Sequence, residues 1–463
     1  MSSSSAVRYA AFVFTSFLLA CSFSPGKPMI QIGTGGSGGP GTGNRPGQST
    51  PCTDLSCQQS TCKKGNCTQP PCGGGVVTTV TGRVFDPAGK VPLYNVDVYI
   101  PNGPLSDIND GPSCDCASLI SGGPIAMTKT DANGNFTLGD ASGDVPAGSN
   151  IPLVIQVGKW RRQVMIDTVP ACQATAASAD ITRLPRNQGE GHIPKIALTT
   201  GGADALECLL RKVGISDSEF TPEAGAGRVN FFAGVNGTNS FNATLGGAQF
   251  TPVAPWWDNV ANLNKYDVIL HSCEGTERPT NKSMAARQAL QTYANSGGRV
   301  FASHWHNYWF EFGPAPWPAI AVFNHQADLP IPFTATIDTS FPRGAALADW
   351  LVNVGGSTTR GQLEIRGAQH TVDRVGSGNQ WIYSTQPQSV QYLDATTPIG
   401  QSACGRVVLS DIHVSQGGAS NTEDDSDPSK PFPDGCITTD LTPQEKTLEF
   451  MLFDLSSCVV IVG

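Results

Sequence analysis

The chain has few charged residues: Asp, Glu, Lys and Arg make up only 14% of its 463 residues, and its formal net charge is -9. The net charge is negative, and the sequence contains no cluster of Lys and Arg. Both features argue against a surface that binds nucleic acid or anionic lipid. Past the first twenty or so residues, no apolar run is long enough for a transmembrane helix. The composition is instead rich in glycine (52) and proline (34), which is typical of loop-rich exported proteins.

The N-terminus has the pattern of a secretory signal. A mostly apolar run covers residues 10–20 and is too short to span a membrane. It ends in Leu18-Leu19-Ala20-Cys21, which resembles the bacterial lipobox, where the cysteine thiol is lipidated. The resemblance implies that residues 1–21 are a lipoprotein signal and that Cys21 anchors the chain in the outer membrane of the cell envelope. The alternative is an ordinary cleaved signal in which Cys21 has no role.

Fourteen cysteines in an exported chain are typical of disulfides rather than of catalytic thiols. Residues 22–75 predict a flexible linker of glycine, proline and serine, then a stalk in which a cysteine recurs every five residues from Cys52 to Cys72. The even spacing lacks the close pairs of a metal site, so we expect a small disulfide-bonded knob. Because five is an odd number, we expect a partner from elsewhere in the chain, such as Cys114 or Cys116.

Residues 76–190 alternate between apolar and polar side chains, which predicts the half-buried strands of a small β-sandwich. An Asn133-Gly134 pair indicates the turn of a tight hairpin. The segment resembles the carboxypeptidase regulatory-like, transthyretin-like domains, which act mostly as spacers or adhesion modules. The resemblance rests on four short motifs: Thr81-Gly82-Arg83-Val84, Leu93-Tyr94-Asn95-Val96-Asp97-Val98, Thr130-Asp131-Ala132-Asn133-Gly134 and Val145-Pro146-Ala147-Gly148.

Residues 191–463 contain two strand-like segments, 266–275 and 298–306, on either side of a segment with helical periodicity from Ser283 to Tyr293. The order strand, helix, strand predicts a crossover between parallel strands. Ligand sites of open parallel sheets lie beyond the carboxyl ends of the strands. We therefore expect five functional side chains to gather at one edge of the sheet: His271, Cys273, Glu274, His304 and His306.

Three segments of this region, 266–270, 297–304 and 405–413, resemble the class I glutamine-amidotransferase-like fold and, within it, the trehalose-utilisation family. The chain is therefore expected to combine a small transthyretin-like β-sandwich with an amidotransferase-like α/β domain built on a parallel sheet. True amidotransferases have their nucleophilic cysteine where this chain has His304, so glutaminase activity is not expected. The trehalose-utilisation relatives also carry histidine there and are linked to disaccharide or keto-sugar metabolism. Residues 330–401 have no evident counterpart in that family.

Three interpretations of the candidate site stay open, and the first is an enzyme. His304 would then be the general acid or base, because imidazole titrates near neutral pH. Glu274 or Asp411 would orient that ring, and His413 would carry a second proton. Cys273 would be a nucleophile activated by a neighbouring histidine.

The second interpretation is a metal site, with zinc as the one cofactor that the residues suggest. Residues two apart on an extended strand share a face, which predicts four ligands: His304, His306, His271 and Cys273. The third is a purely structural cluster, with Cys273 in a disulfide.

For the whole chain, we expect a cell-surface lipoprotein that binds a ligand, such as a carbohydrate or another component of the cell envelope, through a degenerate amidotransferase-like domain. The alternative is a sugar-directed or metal-dependent hydrolase or isomerase of the trehalose-utilisation type.

Overall fold

The structure of the protein is a computed structural model. It describes residues 72–139, 144–325, 329–367, 370–414 and 426–459. All of these belong to one compact unit, Cys52–Gly463. The predicted signal with Cys21, the linker and the cysteines of the stalk before Cys72 lie outside the described residues.

Two small sheets form the first part of this unit. Their strands are β1 (Thr79–Arg83), β2 (Asp97–Pro101), β3 (Pro124–Lys129), β4 (Asn135–Leu138), β5 (Gly148–Val157), β6 (Trp160–Val169) and β7 (Ala174–Ala176). The order is β4-β1-β7 in one sheet and β3-β2-β5-β6 in the other. Buried side chains of both sheets, such as Val80 and Leu153, belong to one hydrophobic cluster, as a β-sandwich requires.

The turn at Asn133-Gly134 corrects one prediction. It joins β3 to β4, but β3 pairs with β2 whereas β4 pairs with β1, so the turn links two sheets and does not close a hairpin. One carboxylate oxygen of Asp131 accepts hydrogen bonds from the backbone N–H groups of Asn133 and Asn135, both at 2.8 Å. Gly134 has φ +76°, and a Cβ there would lie 2.9 Å from the Val84 carbonyl oxygen, so the turn needs glycine.

The second part is built on a large mixed sheet. Its strands and those of a separate strand pair are β8 (Ile196–Thr199), β9 (Phe220–Pro222), β10 (Val229–Ala233), β11 (Thr251–Pro252), β12 (Val268–His271), β13 (Arg299–Ser303), β14 (Ala321–Phe323), β15 (Phe333–Ile337), β16 (Gln362–Ile365), β17 (Val372–Val375), β18 (Asn379–Thr385), β19 (Gln388–Thr397) and β20 (Gly405–Ser410). The sheet order is β11-β10-β8-β12-β13-β20-β19-β18-β15-β16, with β9 beside β10, and β14 pairs with β17. The chain is thus a β-rich, multi-sheet protein that includes an α/β region.

The two halves of the large sheet differ in direction. From β11 to β20 every neighbouring pair is parallel. From β20 to β16 every pair is antiparallel. The antiparallel half therefore consists of β20 and four further strands, β19, β18, β15 and β16. All four lie within residues 330–401.

The described residues form seven α-helices, which pack in the two hydrophobic clusters that also contain the buried strands of the sheet. They are α1 (Leu206–Lys212), α2 (Val253–Trp257), α3 (Val260–Leu263), α4 (Met284–Asn295), α5 (Tyr308–Glu311), α6 (Pro342–Asn353) and α7 (Pro443–Ser456). Helix α4 lies between the parallel strands β12 and β13, which confirms the predicted crossover. It begins where the Ser283 hydroxyl caps the N–H of Ala286, and Gly297, at φ +103°, follows its end.

The β-sandwich and the α/β region share one hydrophobic core, in which helices α6 and α7 contact the sandwich. The rings of Trp160 and Phe453 lie 5.6 Å apart, and those of Tyr94 and Phe450 lie 5.8 Å apart. The indole N–H of Trp350 donates to the carbonyl oxygen of Pro92 at 2.6 Å. The predicted boundary between residues 190 and 191 therefore does not separate two independent cores.

The cysteine pairing in the described part of the chain confirms that a stalk cysteine, Cys72, has a partner from elsewhere in the chain, but this partner is Cys172 and not Cys114 or Cys116. The disulfides are Cys72–Cys172, Cys114–Cys404, Cys116–Cys458 and Cys208–Cys436. Cys114 and Cys116 are therefore not partners of the stalk cysteines, because both bond to residues of the α/β region. Cys273 is buried and unbridged, so the hypothesis that it forms a disulfide is wrong.

We expect that alkylation without reduction, followed by digestion, will distinguish the free thiol of Cys273 from the disulfide-bonded cysteines. Among the described cysteines, only Cys273 should react with an alkylating reagent, and only after denaturation, because its side chain is fully buried. Peptide mapping by mass spectrometry checks this. Alkylation of Cys114 or Cys404 in denaturant without reductant would contradict the pairing.

Candidate metal centre

Three loops at one edge of the sheet carry a thiol and two imidazoles. Strands β12, β13 and β20 are parallel neighbours, so their carboxyl ends lie at the same edge. Cys273 stands two residues after β12, His304 directly after β13 and His413 three residues after β20. The predicted gathering of Cys273 and His304 at this edge is confirmed, and His413 joins them.

The ligand atoms of these three residues all lie within 4.8 Å of one another. The Nδ1 atom of His304 is 3.4 Å from the Sγ atom of Cys273, and the rings of His304 and His413 have centroids 5.2 Å apart. All three side chains are buried, with exposed fractions of 0% to 2%. One thiol and two imidazoles are a ligand set that suits zinc.

His304 has an unusual backbone conformation. Its φ is 41°, in the left-handed region that bulky residues rarely adopt. Strand β13 ends at Ser303, and residues His304–Asn307 form a turn of 3-10 helix directly after it. Such a conformation costs about 1–3 kcal/mol, and strained residues of this kind cluster at active sites and ligand sites.

Burial sets the protonation of the two closest groups. It raises the pKa of the Cys273 thiol to about 12. Burial and the neighbouring His413 lower the pKa of His304 well below its usual value. Without a cation, a neutral thiol therefore faces a neutral imidazole, which is not the activated nucleophile of the enzyme hypothesis. A bound metal ion would replace the thiol proton.

Asp204 connects the loops that carry the histidines, and the sequence analysis missed it. It is fully buried, and its Oδ2 atom accepts a hydrogen bond from the Ser303 hydroxyl at 2.6 Å. Its Oδ1 atom accepts one from the backbone N–H of Val414 at 3.0 Å. The only signal in the sequence was its position just beyond a strand of the parallel sheet.

The buried Glu207 of helix α1, close to Asp204, should make the stability of the protein depend on pH. Burial raises the pKa of this carboxyl group to about 8. Because the pKa in the folded state exceeds that of the unfolded state, the folded form keeps the proton, and the resulting stability is lost as pH rises from about 4.5 to about 8. We expect Glu207→Gln, which does not titrate, to gain stability relative to the wild type by about 1.4 kcal/mol per pH unit in this range. Urea unfolding at a series of pH values measures the difference, and a difference independent of pH would contradict the expectation.

The two carboxylates predicted to orient His304 have other hydrogen-bond partners. The buried Glu274 forms an ion pair with the buried Lys282 at 2.6 Å and accepts a hydrogen bond from the N–H of Val235 at 2.9 Å. The carboxylate of Asp411 accepts hydrogen bonds from the N–H and the hydroxyl of Thr371, at 2.7 and 2.6 Å. Glu274 and Asp411 thus help to hold the loops at this edge.

His306, a predicted zinc ligand, already uses both of its ring nitrogens. Its Nδ1 atom lies 2.9 Å from the Trp309 indole nitrogen, which can only donate. The Nε2 atom must therefore carry the proton, and it donates to the Ser272 carbonyl oxygen at 2.9 Å. His306 consequently holds the peptide next to Cys273 in place.

His271 stacks on His306, with ring centroids 4.9 Å apart, and its Nδ1 atom lies 2.9 Å from the Thr199 hydroxyl. Among the described residues, two groups of three could hold a metal ion, and neither includes His271 or His306. The structure therefore gathers a different ligand set from the predicted one.

The second group lies nearer the surface and consists of Glu277, Glu311 and His325. His325 lies 3.0 Å from a carboxylate oxygen of Glu311 and 3.5 Å from one of Glu277. The hydrogen bond to Glu311 raises the pKa of His325 above its usual value. His325 thus lies between the two carboxylates and pairs with both, as exposed histidines and acidic residues commonly do without a metal ion.

In the described part of the chain, no helix has the length and apolar character needed to cross a membrane. A comparison with known protein families gives no matching family, and a comparison with curated proteins gives no match. A function is therefore inferred from the geometry of the site.

Proposed function

We propose that the protein is a lipid-anchored protein of the bacterial outer membrane whose α/β region holds one zinc ion through Cys273, His304 and His413. The observation that carries the proposal is the convergence of these three ligand atoms, within 4.8 Å of one another, from three separate strand ends. Tetrahedral zinc with usual Zn–S and Zn–N bonds separates sulfur from nitrogen by about 3.6 Å. The Sγ–Nδ1 distance of 3.4 Å is close to that value.

Three protein ligands leave one position of a tetrahedral ion for water or for a bound ligand. Trp305 is partly exposed, and its ring lies 4.5 Å from that of His304. A partly exposed indole offers a flat face for stacking on a sugar ring. We therefore propose a carbohydrate of the cell envelope as the ligand that this site binds.

The fold assignments belong to the same proposal. The two small sheets support a transthyretin-like domain, and the crossover from β12 through α4 to β13 supports a class I amidotransferase-like domain. In that assignment, His304 occupies the turn where amidotransferases carry their nucleophilic cysteine. Glutaminase activity by that route is then absent, because imidazole replaces the thiol.

A second candidate function is a sugar-directed hydrolase or isomerase of the trehalose-utilisation type. The observation that favours it is the strained backbone of His304, with φ 41° directly after a parallel strand. A strained residue that directs its side chain beyond a sheet edge is a common feature of active sites.

Zinc stoichiometry tests the proposal. The full chain is exported so that its disulfides form, dialysed against zinc, and analysed for metal and protein content. We expect one tightly bound zinc per chain, and binding of envelope oligosaccharides that is weaker in the zinc-free protein. A chain that binds no zinc would overturn the metal site, and turnover of a disaccharide would favour the second candidate.

A further inference from the structure

A large groove lies between the β-sandwich and the α/β region. It has a volume of about 890 Å³, and none of its lining residues belongs to the proposed zinc site. Six of its eighteen lining residues are cationic: Arg83, Lys90, Arg186, Arg211, Lys212 and Lys446. Only two carboxylates line it, Asp86 and Asp440. This is a marked local excess of positive charge in a chain whose net charge is -9.

Three of the six cations are neutralised by carboxylates. Lys90 pairs with Asp440 at 2.6 Å, Arg211 pairs with Asp217 at 2.7 Å, and Lys212 pairs with Glu445 at 2.7 Å. The first pair is largely exposed and the last is buried, so solvent screens the charges in the groove unequally.

The other three cations bond to carbonyl oxygens, which satisfy hydrogen bonds but leave the positive charge. The Arg83 guanidinium donates to the carbonyl oxygen of Asn133 at 2.5 Å. The Lys446 ammonium donates to that of Val354 at 2.9 Å. Arg186 donates to two carbonyl oxygens of the turn after β1, at 2.8 and 3.0 Å. The carboxylates near these three charges are Asp86, whose Oδ1 atom accepts two backbone N–H groups of the same turn, and Asp440 and Glu449, which interact electrostatically with Lys446.

We propose that this groove binds a small ligand that carries two or more oxyanions, either phosphates or carboxylates. Guanidinium groups match the geometry of such oxyanions, and the lysine adds a further positive charge. The hydroxyls of Thr438 and Thr439 and the amide of Asn353 supply neutral hydrogen-bonding groups. None of the lining residues is aromatic, so the groove offers no stacking face to a neutral sugar. Its volume lies in the range of small-molecule sites.

The test measures binding of three probes to the full chain by titration calorimetry at low salt: inorganic tripolyphosphate, trigalacturonate and maltotriose. We expect one or both anions to bind and the neutral sugar not to bind. Preference for tripolyphosphate would identify phosphate as the oxyanion, and preference for trigalacturonate would identify carboxylate. Binding should weaken as salt is added.

The double variant Arg186→Gln/Lys446→Gln should weaken anion binding at least about tenfold. The matched control Lys265→Gln/Arg360→Gln removes the same number of charges at exposed ion pairs elsewhere and should bind as the wild type does. If the double variant does not fold, Lys446→Gln alone serves, with the unfolding temperature as a check. The proposal is overturned if neither anion binds to the wild type, if maltotriose binds as well as the anions, or if the control loses as much affinity as the folded groove variant.

Discussion

Replacing Cys273 with serine should abolish tight zinc binding, and His413→Ala should have the same effect. Each change removes one of three protein ligands. Loss of a residue that merely supports a ligand weakens metal binding by about 10–100-fold, so loss of a ligand itself should cost more than about 100-fold. Zinc titration in the presence of a chelator of known affinity measures the change.

The control for this experiment is His325→Ala, which removes a histidine from the second group of candidate ligands. Because that group is separate from the proposed centre, the control should keep both the affinity and the stoichiometry of the wild type. If the control lost zinc while Cys273→Ser kept it, the metal would belong to the surface group. Retention of full affinity in both Cys273→Ser and His413→Ala would refute the proposed centre.

The second large effect concerns stability. Lys282→Met should lower the free energy of unfolding by about 3–5 kcal/mol, because it leaves Glu274 buried without its counter-charge. The change also removes a cation that lies 5.6 and 5.8 Å from the ring centroids of Trp257 and Trp309. Urea denaturation measures the loss.

Two further variants separate the ion pair from general damage to the core. The double variant Glu274→Gln/Lys282→Met removes both charges and should recover much of the lost stability. Lys90→Met breaks the exposed pair with Asp440 and should leave the free energy of unfolding nearly unchanged, because solvent screens that pair. A loss in Lys282→Met no larger than that in Lys90→Met would contradict the role of the buried pair.

The periodic parts of the sequence were predicted well. Helix α4 was expected at residues 283–293 and is found at Met284–Asn295, between two parallel strands, because its apolar spacing and its capping serine are local signals. The same local signals placed Cys273 and His304 at one sheet edge. The sequence therefore predicts which residues follow the end of a strand.

The same local signals do not predict the direction in which the side chains of the site point. The prediction that His304 and His306 share a face assumed an extended strand, but β13 ends at Ser303 and a 3-10 turn follows. The turn brings His304 close to Cys273, whereas His306 bonds to the Ser272 carbonyl oxygen. No pattern in the sequence signals the positive φ of a histidine.

Features made by distant segments also escaped the sequence analysis. The bridges Cys114–Cys404 and Cys116–Cys458 span 290 and 342 residues, and spacing alone cannot determine such pairing. The chain has no run of Lys and Arg, yet six cations from separate segments meet in one groove. Convergence of this kind depends on the packing of the sandwich against the α/β region.

The zinc centre is tested most directly by X-ray absorption spectroscopy at the zinc edge of the loaded full chain. We expect one sulfur ligand at about 2.3 Å and two imidazole nitrogens at about 2.0 Å. The sulfur signal should disappear in any zinc that Cys273→Ser still binds. A first shell of oxygen and nitrogen only in the wild-type protein would contradict the centre, because Cys273 is then not a ligand.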